Sequence, residues 1–254
     1  MLKSFKPFVD LAVTLALWSY YLACYLVFCP VYFGAYFFSA CPERAFQKVN
    51  CLLYRSFFFV MQAITPGLTI RIAPEISEIR SSVVIANHLS FLDSILFVSL
   101  FEQQKTIVKQ KFFSIPLFGA VLKISGYIAP LGSGVFSEDM MGQIARLQEH
   151  FAAGGNLFVF PEGTRSRTGA VGPFEKGAFS IAKLCKAPVR VVRITNTGRL
   201  YPPDSFLFNT CIANRIEVTL AGSIEPEYDN STVPVSELMG QARDLLEGKK
   251  QKYV

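Results

Sequence analysis

From Leu11 to Cys29 the sequence reads LAVTLALWSYYLACYLVFC, without one charged residue. A helix that is apolar on every side must be buried in protein or embedded in lipid. This one is about long enough to cross the roughly 30 Å hydrocarbon core of a bilayer. The apolar character continues past Pro30 and Gly34, through VYFGAYFFSA, to Ala40. A proline inside such a run predicts a bend, so a helical hairpin that dips into the membrane and returns is expected, with Pro30 near its apex. Basic residues flank the segment on both sides, so charge does not choose between that hairpin and a single span. Two other readings compete with membrane attachment. Lys3 and Lys6, with FSAC at residues 38–41, faintly resemble a secretory signal, although the apolar run is long and the cleavage site late. A buried core helix would be equally apolar.

After CPER, the stretch AFQKVNCLLYRSFFFVMQAIT carries Lys48 and Arg55. Cations are costly in hydrocarbon unless they snorkel to its edge. The stretch therefore reads as an amphipathic helix lying in the interface. Residues 1–65 form a membrane-associated helical segment on this reading, and residues 66–254 a separate domain. The formal net charge of +6 suggests acidic partners. With so apolar a front end, an anionic lipid surface fits better than nucleic acid, since no lysine run is interleaved with base-stacking aromatics. The six cysteines, Cys24, Cys29, Cys41, Cys51, Cys185 and Cys211, form no C-x-x-C pair and read as packing thiols in a reducing compartment. The C-terminal ELMGQARDLLEGKKQKYV reads as a solvated amphipathic helix with a basic end that touches lipid.

Beyond the turn signal TPG at residues 65–67, LTIRIA alternates like a strand, and SSVVIA at 81–86 is a β-branched run suited to a buried one. The second run breaks into NHLSFLDSILFVSL. Ser90, followed three residues later by Asp93 and then an apolar run, fits a capping box. His88 thus falls at the carboxyl end of a strand and just before a helix, where α/β sheets bind ligands. A carboxylate that holds one imidazole nitrogen fixes the tautomer and leaves the other nitrogen as a base. The alternative is that Asp93 only caps and His88 only satisfies a loop carbonyl. His150, in EDMMGQIARLQEHF, reads as a helix C-terminal histidine that complements the dipole. One histidine with one carboxylate does not make a zinc site.

The second chemical signal is FPEGTRSRTG, residues 160–169. GG at 154–155 closes a helix and NLFVF reads as another buried strand. Pro161 ends its hydrogen bonding, and Gly163 permits a backbone turn closed to most residues. Arg165 then emerges on the rim expected for His88, with a guanidinium suited to phosphate or carboxylate. Glu162 either orients Arg165 or hydrogen-bonds a polyol hydroxyl; Ser166 and Arg167 read as support or solvated loop. The competing reading is a solvated turn with a surface ion pair. GPFEKGAFSIAKLCKAPVRVVRI predicts a helix from Phe174 and a strand from Val189, hence a crossover in a parallel sheet. The fold class is α/β: a mostly parallel sheet flanked by helices, preceded by an apolar helical membrane motif. PLGSG at 130–134 lacks the lysine of a nucleotide loop and reads as a flexible loop, and no G-x-S-x-G is present.

NHLSFLD at 87–93 and FPEGTRS at 160–166, taken together, resemble the glycerolipid acyltransferase family typified by bacterial 1-acylglycerol-3-phosphate acyltransferase. The resemblance covers residues 80–200. VKQKFFSIPLFGAVLKISGYI is similar to the family's second block, with Lys109, Pro116, Gly119, Gly126 and Ile128 at its expected places. The resemblance implies that His88 is a general base, Asp93 its partner and Arg165 a ligand for the acceptor phosphate. Glu162, Gly163, Thr164 and Lys109 complete the implied substrate-binding set. The implied reaction moves a fatty acyl group from a thioester, on acyl carrier protein or coenzyme A, to a lysolipid hydroxyl. The hydroxyl attacks directly, with no acyl-enzyme, and backbone amides near the helix start stabilise the oxyanion. No cofactor is implied beyond the acyl thioester as co-substrate. The implied setting is the cytoplasmic (inner) membrane with the catalytic domain facing the cytosol. Two positions depart from the family pattern: Gly132 stands where an arginine is usual, and Val191 where a proline is usual. Either Lys123 or Arg193 substitutes for the missing cation, or the acceptor is not a glycerol phosphate; a lyso-aminolipid is one candidate. Water as acceptor, giving a thioesterase or lysolipid hydrolase, and an inactive membrane-binding scaffold are the other classes.

Overall fold

A computed structural model describes residues 2–129, 138–226, 228 and 233–248. The chain opens with α1 (Leu2–Phe38) and α2 (Pro42–Ile64). They form an antiparallel hairpin: Tyr32 meets Phe46 near the turn, and Tyr21 meets Tyr54 and Phe57 farther along. The reversal lies at residues 39–41, not at Pro30, which α1 passes through without ending. Proline removes one helical hydrogen bond and crowds the preceding turn. Contacts on its far side hold the helix on course, for Tyr32 donates its hydroxyl to Asn50 of α2. Among the described residues α1 is the one helix long and apolar enough to cross a membrane.

α2 is amphipathic, as its sequence predicts, and most of its apolar face packs inside the protein. Phe46, Leu53, Phe57 and Met61 are buried in a core shared with α1 and the sheet. The two cations stay at the edge: Lys48 pairs with Glu102 at 3.5 Å, and Arg55 Nε donates to the Ser99 carbonyl at 2.8 Å. A second tie fastens the start of α1. The buried Asp10 carboxylate accepts both the backbone N–H and the hydroxyl of Thr210, at 2.8 and 2.7 Å.

The rest of the chain runs β1 (Leu68–Ile72), β2 (Val83–Ala86), α3 (Phe91–Leu100), β3 (Gln104–Thr106), α4 (Phe118–Ile124), α5 (Glu138–Ala152), β4 (Asn156–Val159), α6 (Gly177–Cys185), β5 (Val189–Thr195), α7 (Thr197–Leu200), β6 (Asn214–Ile224) and α8 (Val235–Glu247). The sheet order is β1-β6-β5-β2-β4-β3, parallel at every pairing except β5 with β6. Alternate residues of β2 serve different cores. Val84 and Ala86 face α2 and α3, whereas Val83 and Ile85 face α5, α6 and α8. A strand covered on both faces reads as an unbroken apolar run, which is why VVIA shows no period of two.

That topology sets the site. β2 lies between β4 and β5, so the segments leaving those three strands share one rim. From β2 the chain passes to α3 on one face, and from β4 it passes to α6 on the other. Where successive connections diverge to opposite faces, a crevice opens at the strand ends.

Three further expectations change. The crossover helix starts at Gly177 rather than Phe174, whose ring stacks on Phe179 at 5.9 Å. α8 is not a solvated terminus, because Leu238, Ala242 and Leu246 are buried against the sheet; its basic tail from Lys249 lies outside the described residues. His150 is not a cation at a helix end. It is buried, with Nε2 at 3.2 Å from the Asn156 carbonyl, and burial, reinforced by the Lys105 cation, pushes its pKa down to about 4 from 6.5. The unfolded chain therefore takes up this proton first, and stability falls as pH drops from 6.5 toward 4. This group contributes at most about 3 kcal/mol to the fall. His150→Gln is expected to show a shallower loss in urea unfolding across that window; equal slopes in both proteins would contradict it. All six cysteines are free thiols; Cys24 and Cys51 are packed inside, whereas Cys29, Cys41 and Cys211 are exposed.

Candidate active site

The capping box forms. Ser90 caps α3, its side chain accepting from Leu92 N–H, while Asp93 reaches back to the backbone before the helix. Asp93 is fully buried, and its Oδ2 accepts three donors: Leu89 N–H at 2.6 Å, Ser90 N–H at 2.7 Å and His88 Nδ1 at 3.1 Å. The two readings of Asp93, as cap and as histidine partner, are thus both realised, by a single oxygen. The carboxylate assigns the proton to Nδ1 and leaves Nε2 as the acceptor. Nε2 has no hydrogen-bond partner among the described residues, and the His88 side chain is 14% exposed. The Asp93 Oδ1 is buried, with no partner among the described residues.

The turn after β4 clamps the same histidine. His88 N–H donates to Glu162 Oε1 at 3.0 Å, and its carbonyl accepts from Ser166 N–H at 2.7 Å. The imidazole stacks on Phe160, with centroids 4.2 Å apart and planes at 16°. Glu162 Oε2 accepts from Gly172 N–H at 2.8 Å. Both Glu162 oxygens are therefore engaged by backbone amides. Among the described residues no hydrogen bond or ion pair joins Glu162 to Arg165, so the expectation that it orients that arginine is corrected. Gly163 takes φ +64°, and its N–H returns to the Phe160 carbonyl at 3.1 Å, closing the turn as its sequence predicts. Gly163 and Thr164 are exposed.

Arg165 is half-buried, one residue before the amide that holds the His88 carbonyl, and so lies on the same rim. Its neighbour is Tyr201, whose phenol burial pushes upward in pKa while the Arg165 cation opposes the rise. Among the described residues no carboxylate pairs with Arg165, which leaves the guanidinium open to an anion. Arg167, next along, is paired with Asp204 at 2.8 Å on the surface. Lys109 lies just beyond β3, on the same edge of the sheet but two strands from β2, with its side chain exposed. Of the two cations considered as substitutes, Arg193 is spent elsewhere: it donates to the Leu245 and Leu246 carbonyls at the end of α8, both at 2.8 Å. Lys123 is exposed on α4. Gly132 and the PLGSG stretch lie outside the described residues. Among the described residues no three His, Cys, Asp or Glu side chains cluster to hold a metal ion.

Several positioning contacts join segments too distant for the sequence to pair them. Asn87 bonds to β5 through both ends of its amide, accepting from Ile194 N–H at 2.8 Å and donating to the Ile194 carbonyl at 2.9 Å. It extends the ladder one residue beyond β2 and fixes where His88 starts. Ser90 caps α3 and also donates its hydroxyl to the Tyr201 carbonyl at 2.7 Å. Trp18 of α1 packs on Phe91, Tyr201 and Phe208, with centroids 6.1 to 6.4 Å away, so the N-terminal hairpin touches the wall of the site.

Comparison with known proteins addresses the family and the fold. A chloroplastic 1-acyl-sn-glycerol-3-phosphate acyltransferase of Brassica napus is 37% identical over 123 residues, 48% of this chain and 35% of that one. The 1-acyl-sn-glycerol-3-phosphate acyltransferase of Saccharomyces cerevisiae is 31% identical over 169 residues, 64% of this chain and 54% of that one. These matches span from about a third to about half of those relatives' lengths. The crystal structure of the 1-acyl-sn-glycerophosphate acyltransferase PlsC from Thermotoga maritima superposes with a TM-score of 0.69 at 20% identity, covering 96% of this chain and 95% of that one. That likeness establishes the fold, hairpin included. A family model described as Acyltransferase matches residues 68–195, which run from the first residue of β1 to the last of β5 and so enclose His88, Asp93 and the Arg165 turn. The chain belongs to the acyltransferase family.

Proposed function

We propose that this chain is a membrane-bound O-acyltransferase that moves a fatty acyl group from an acyl thioester, on acyl carrier protein or coenzyme A, to the hydroxyl of lysophosphatidic acid. One observation carries the reading: His88 is held at Nδ1 by Asp93, leaves Nε2 without a partner among the described residues, and is clamped to the turn that presents Arg165. The relatives' names fit the same acceptor.

In this mechanism Nε2 removes the acceptor's hydroxyl proton as its oxygen attacks the thioester carbonyl. The tetrahedral intermediate collapses, the carbon–sulfur bond breaks, and the thiolate takes the proton from the imidazolium. The ester and a free thiol are the products, and no cofactor takes part. Asp93, with its charge beside Nδ1, stabilises the imidazolium while it exists. Arg165 holds the acceptor's phosphate, and the exposed Gly163, Thr164 and Lys109 border the same anionic group. The outward apolar face of α1, including Phe8, Leu15, Leu22 and Leu26, rests in the membrane that supplies the acceptor, with the α/β domain on the cytosolic side.

The test is to incubate detergent-purified protein with labelled acyl thioesters and a lysolipid panel that includes phosphate-free acceptors, and to identify products by mass spectrometry. Diacylglycerol phosphate is expected. Free fatty acid alone would replace the reading with a hydrolase, and product only from an aminolipid would replace the acceptor. In the same assay Arg165→Ala is expected to raise the acceptor KM on the order of 10- to 100-fold, the worth of a charge-assisted bond, with the donor KM little changed. Equal losses toward both substrates would remove Arg165 from that role.

A further inference from the structure

The segment joining β3 to α4 reads KQKFFSIPLF over residues 109–118, and its backbone takes a costly course. A 3-10 turn over Gln110–Ser114 leads to Pro116, whose carbonyl then accepts from Phe118 N–H at 2.7 Å. That bond closes a γ-turn centred on Leu117, at φ 60° and ψ −55°. This hand of γ-turn is rare and strained, and a bulky residue makes it more so. Leu117 is nevertheless 83% exposed, and Ile115 beside it 45%. A single exposed leucine is ordinary on a protein surface. A leucine held out at a strained apex is not, because glycine would relieve the strain and no burial offsets it. Strain of this kind collects where function needs a fixed geometry.

The apex is braced from below. Gly119 N–H returns to the Ile115 carbonyl at 2.7 Å, and a methyl on Gly119 would collide with the Phe113 backbone. The Phe118 ring meets Phe112 at 6.3 Å and Tyr25 of α1 at 6.2 Å. The projecting side chains are thus continuous with α1, where Leu22 and Leu26 near Tyr25 are 65% and 77% exposed. The charge of the segment points the same way. Residues 103–137 contain four lysines and no aspartate or glutamate. Lys105 is buried in a pair with Glu43, but Lys109, Lys111 and Lys123 are exposed.

We propose that this loop is a second membrane-penetrating element, separate from α1: Ile115 and Leu117 enter the acyl region of an anionic bilayer while Lys111 and Lys123 remain at headgroup level. An apolar tip on a cationic collar matches the two layers of such a surface. The proposal rests on α1 lying in the membrane, as proposed above. Its consequence concerns the site. Tyr25, which touches the loop, lies seven residues beyond Trp18, which touches the first residue of α3, about 10 Å along the helix. Two contacts at that spacing would hold the His88 rim against the lipid from which the acceptor comes.

The test places a second tryptophan in this chain, whose 254 residues contain one, Trp18. Leu117→Trp is compared with Leu184→Trp, on α6 at the opposite face of the sheet and itself 46% exposed. Both are bound to phosphatidylglycerol–phosphatidylcholine vesicles with or without acyl-chain bromination, and binding is followed by co-sedimentation. Subtracting the wild-type signal, Leu117→Trp is expected to emit farther to the blue and to be quenched in brominated vesicles, with Leu184→Trp unaffected. Sedimentation with quenching at 117 no greater than at 184 would overturn the loop's role and leave α1 as the sole anchor. Failure to sediment would overturn both. Shielding of Trp at 117 only on adding acyl carrier protein would assign the loop to the donor and overturn the proposal. As an independent readout, Leu117→Asp is expected to lower turnover of vesicle-borne acceptor while sparing a short-chain, water-soluble one; equal loss on both would count against it.

Discussion

His88→Ala is expected to lower kcat on the order of 10²- to 10⁴-fold while leaving the fold intact. The substitution is clean because the residue's structural contacts are made by its backbone. Its N–H donates to Glu162 and its carbonyl accepts from Ser166, and alanine keeps both. What is lost is the ring: the base at Nε2, the bond to Asp93 and the stack on Phe160. Asp93 Oδ2 retains two of its three donors, from Leu89 and Ser90, so the start of α3 stays capped. Thermal melting and steady-state acyl transfer on the same preparation separate the outcomes. A melting point near wild type with activity nearly abolished is the expected pair. Activity within a few-fold of wild type would remove His88 as the base. A collapse in melting point would instead make the ring a structural support.

The parts legible from sequence were those encoded within a turn or two of chain. The capping box is one, because Ser90 and Asp93 are three residues apart and the helix geometry does the rest. Strand VVIA is another, since its composition alone says that both faces are covered. The rim shared by His88 and Arg165 followed from two strands each ending in a polar turn. What stayed hidden depended on register between distant segments. Glu162 binds an amide 74 residues away, and nothing in FPEGTR says that its carboxylate looks toward His88 rather than Arg165. Asp10 finds Thr210 across 200 residues, a pairing that adds to its local ion pair with Lys6 and that no local pattern announces. Pro30 and His150 were misread for a common reason. Local chemistry predicted a bend and a cation, and burial decided otherwise: Tyr32 and Asn50 hold α1 past the proline, and the packed interior keeps the imidazole neutral.

Asp93→Asn should nearly match the His88 loss in kcat, by a different route. The amide keeps the size of the carboxylate, and two backbone donors hold its oxygen where Oδ2 now sits. That oxygen still accepts from Nδ1–H, so the tautomer survives. The negative charge beside the imidazolium does not, and a loss on the order of 10²-fold or more in kcat follows, with the acceptor KM little changed. A stability cost accompanies it. The new NH₂ takes the place of Oδ1, which is buried with no partner among the described residues, and an unsatisfied buried donor costs about 1–3 kcal/mol. Kinetics and melting therefore both shift, and neither alone proves that Asp93 acts through His88. The double variant His88→Ala/Asp93→Asn separates the two effects. If the carboxylate serves catalysis only by positioning and stabilising the imidazole, removing it from a chain that already lacks the imidazole changes kcat no further, although it still lowers the melting point. Losses in kcat that multiply in the double variant would mean that Asp93 has a catalytic task independent of His88, and the proton path written here would have to be redrawn.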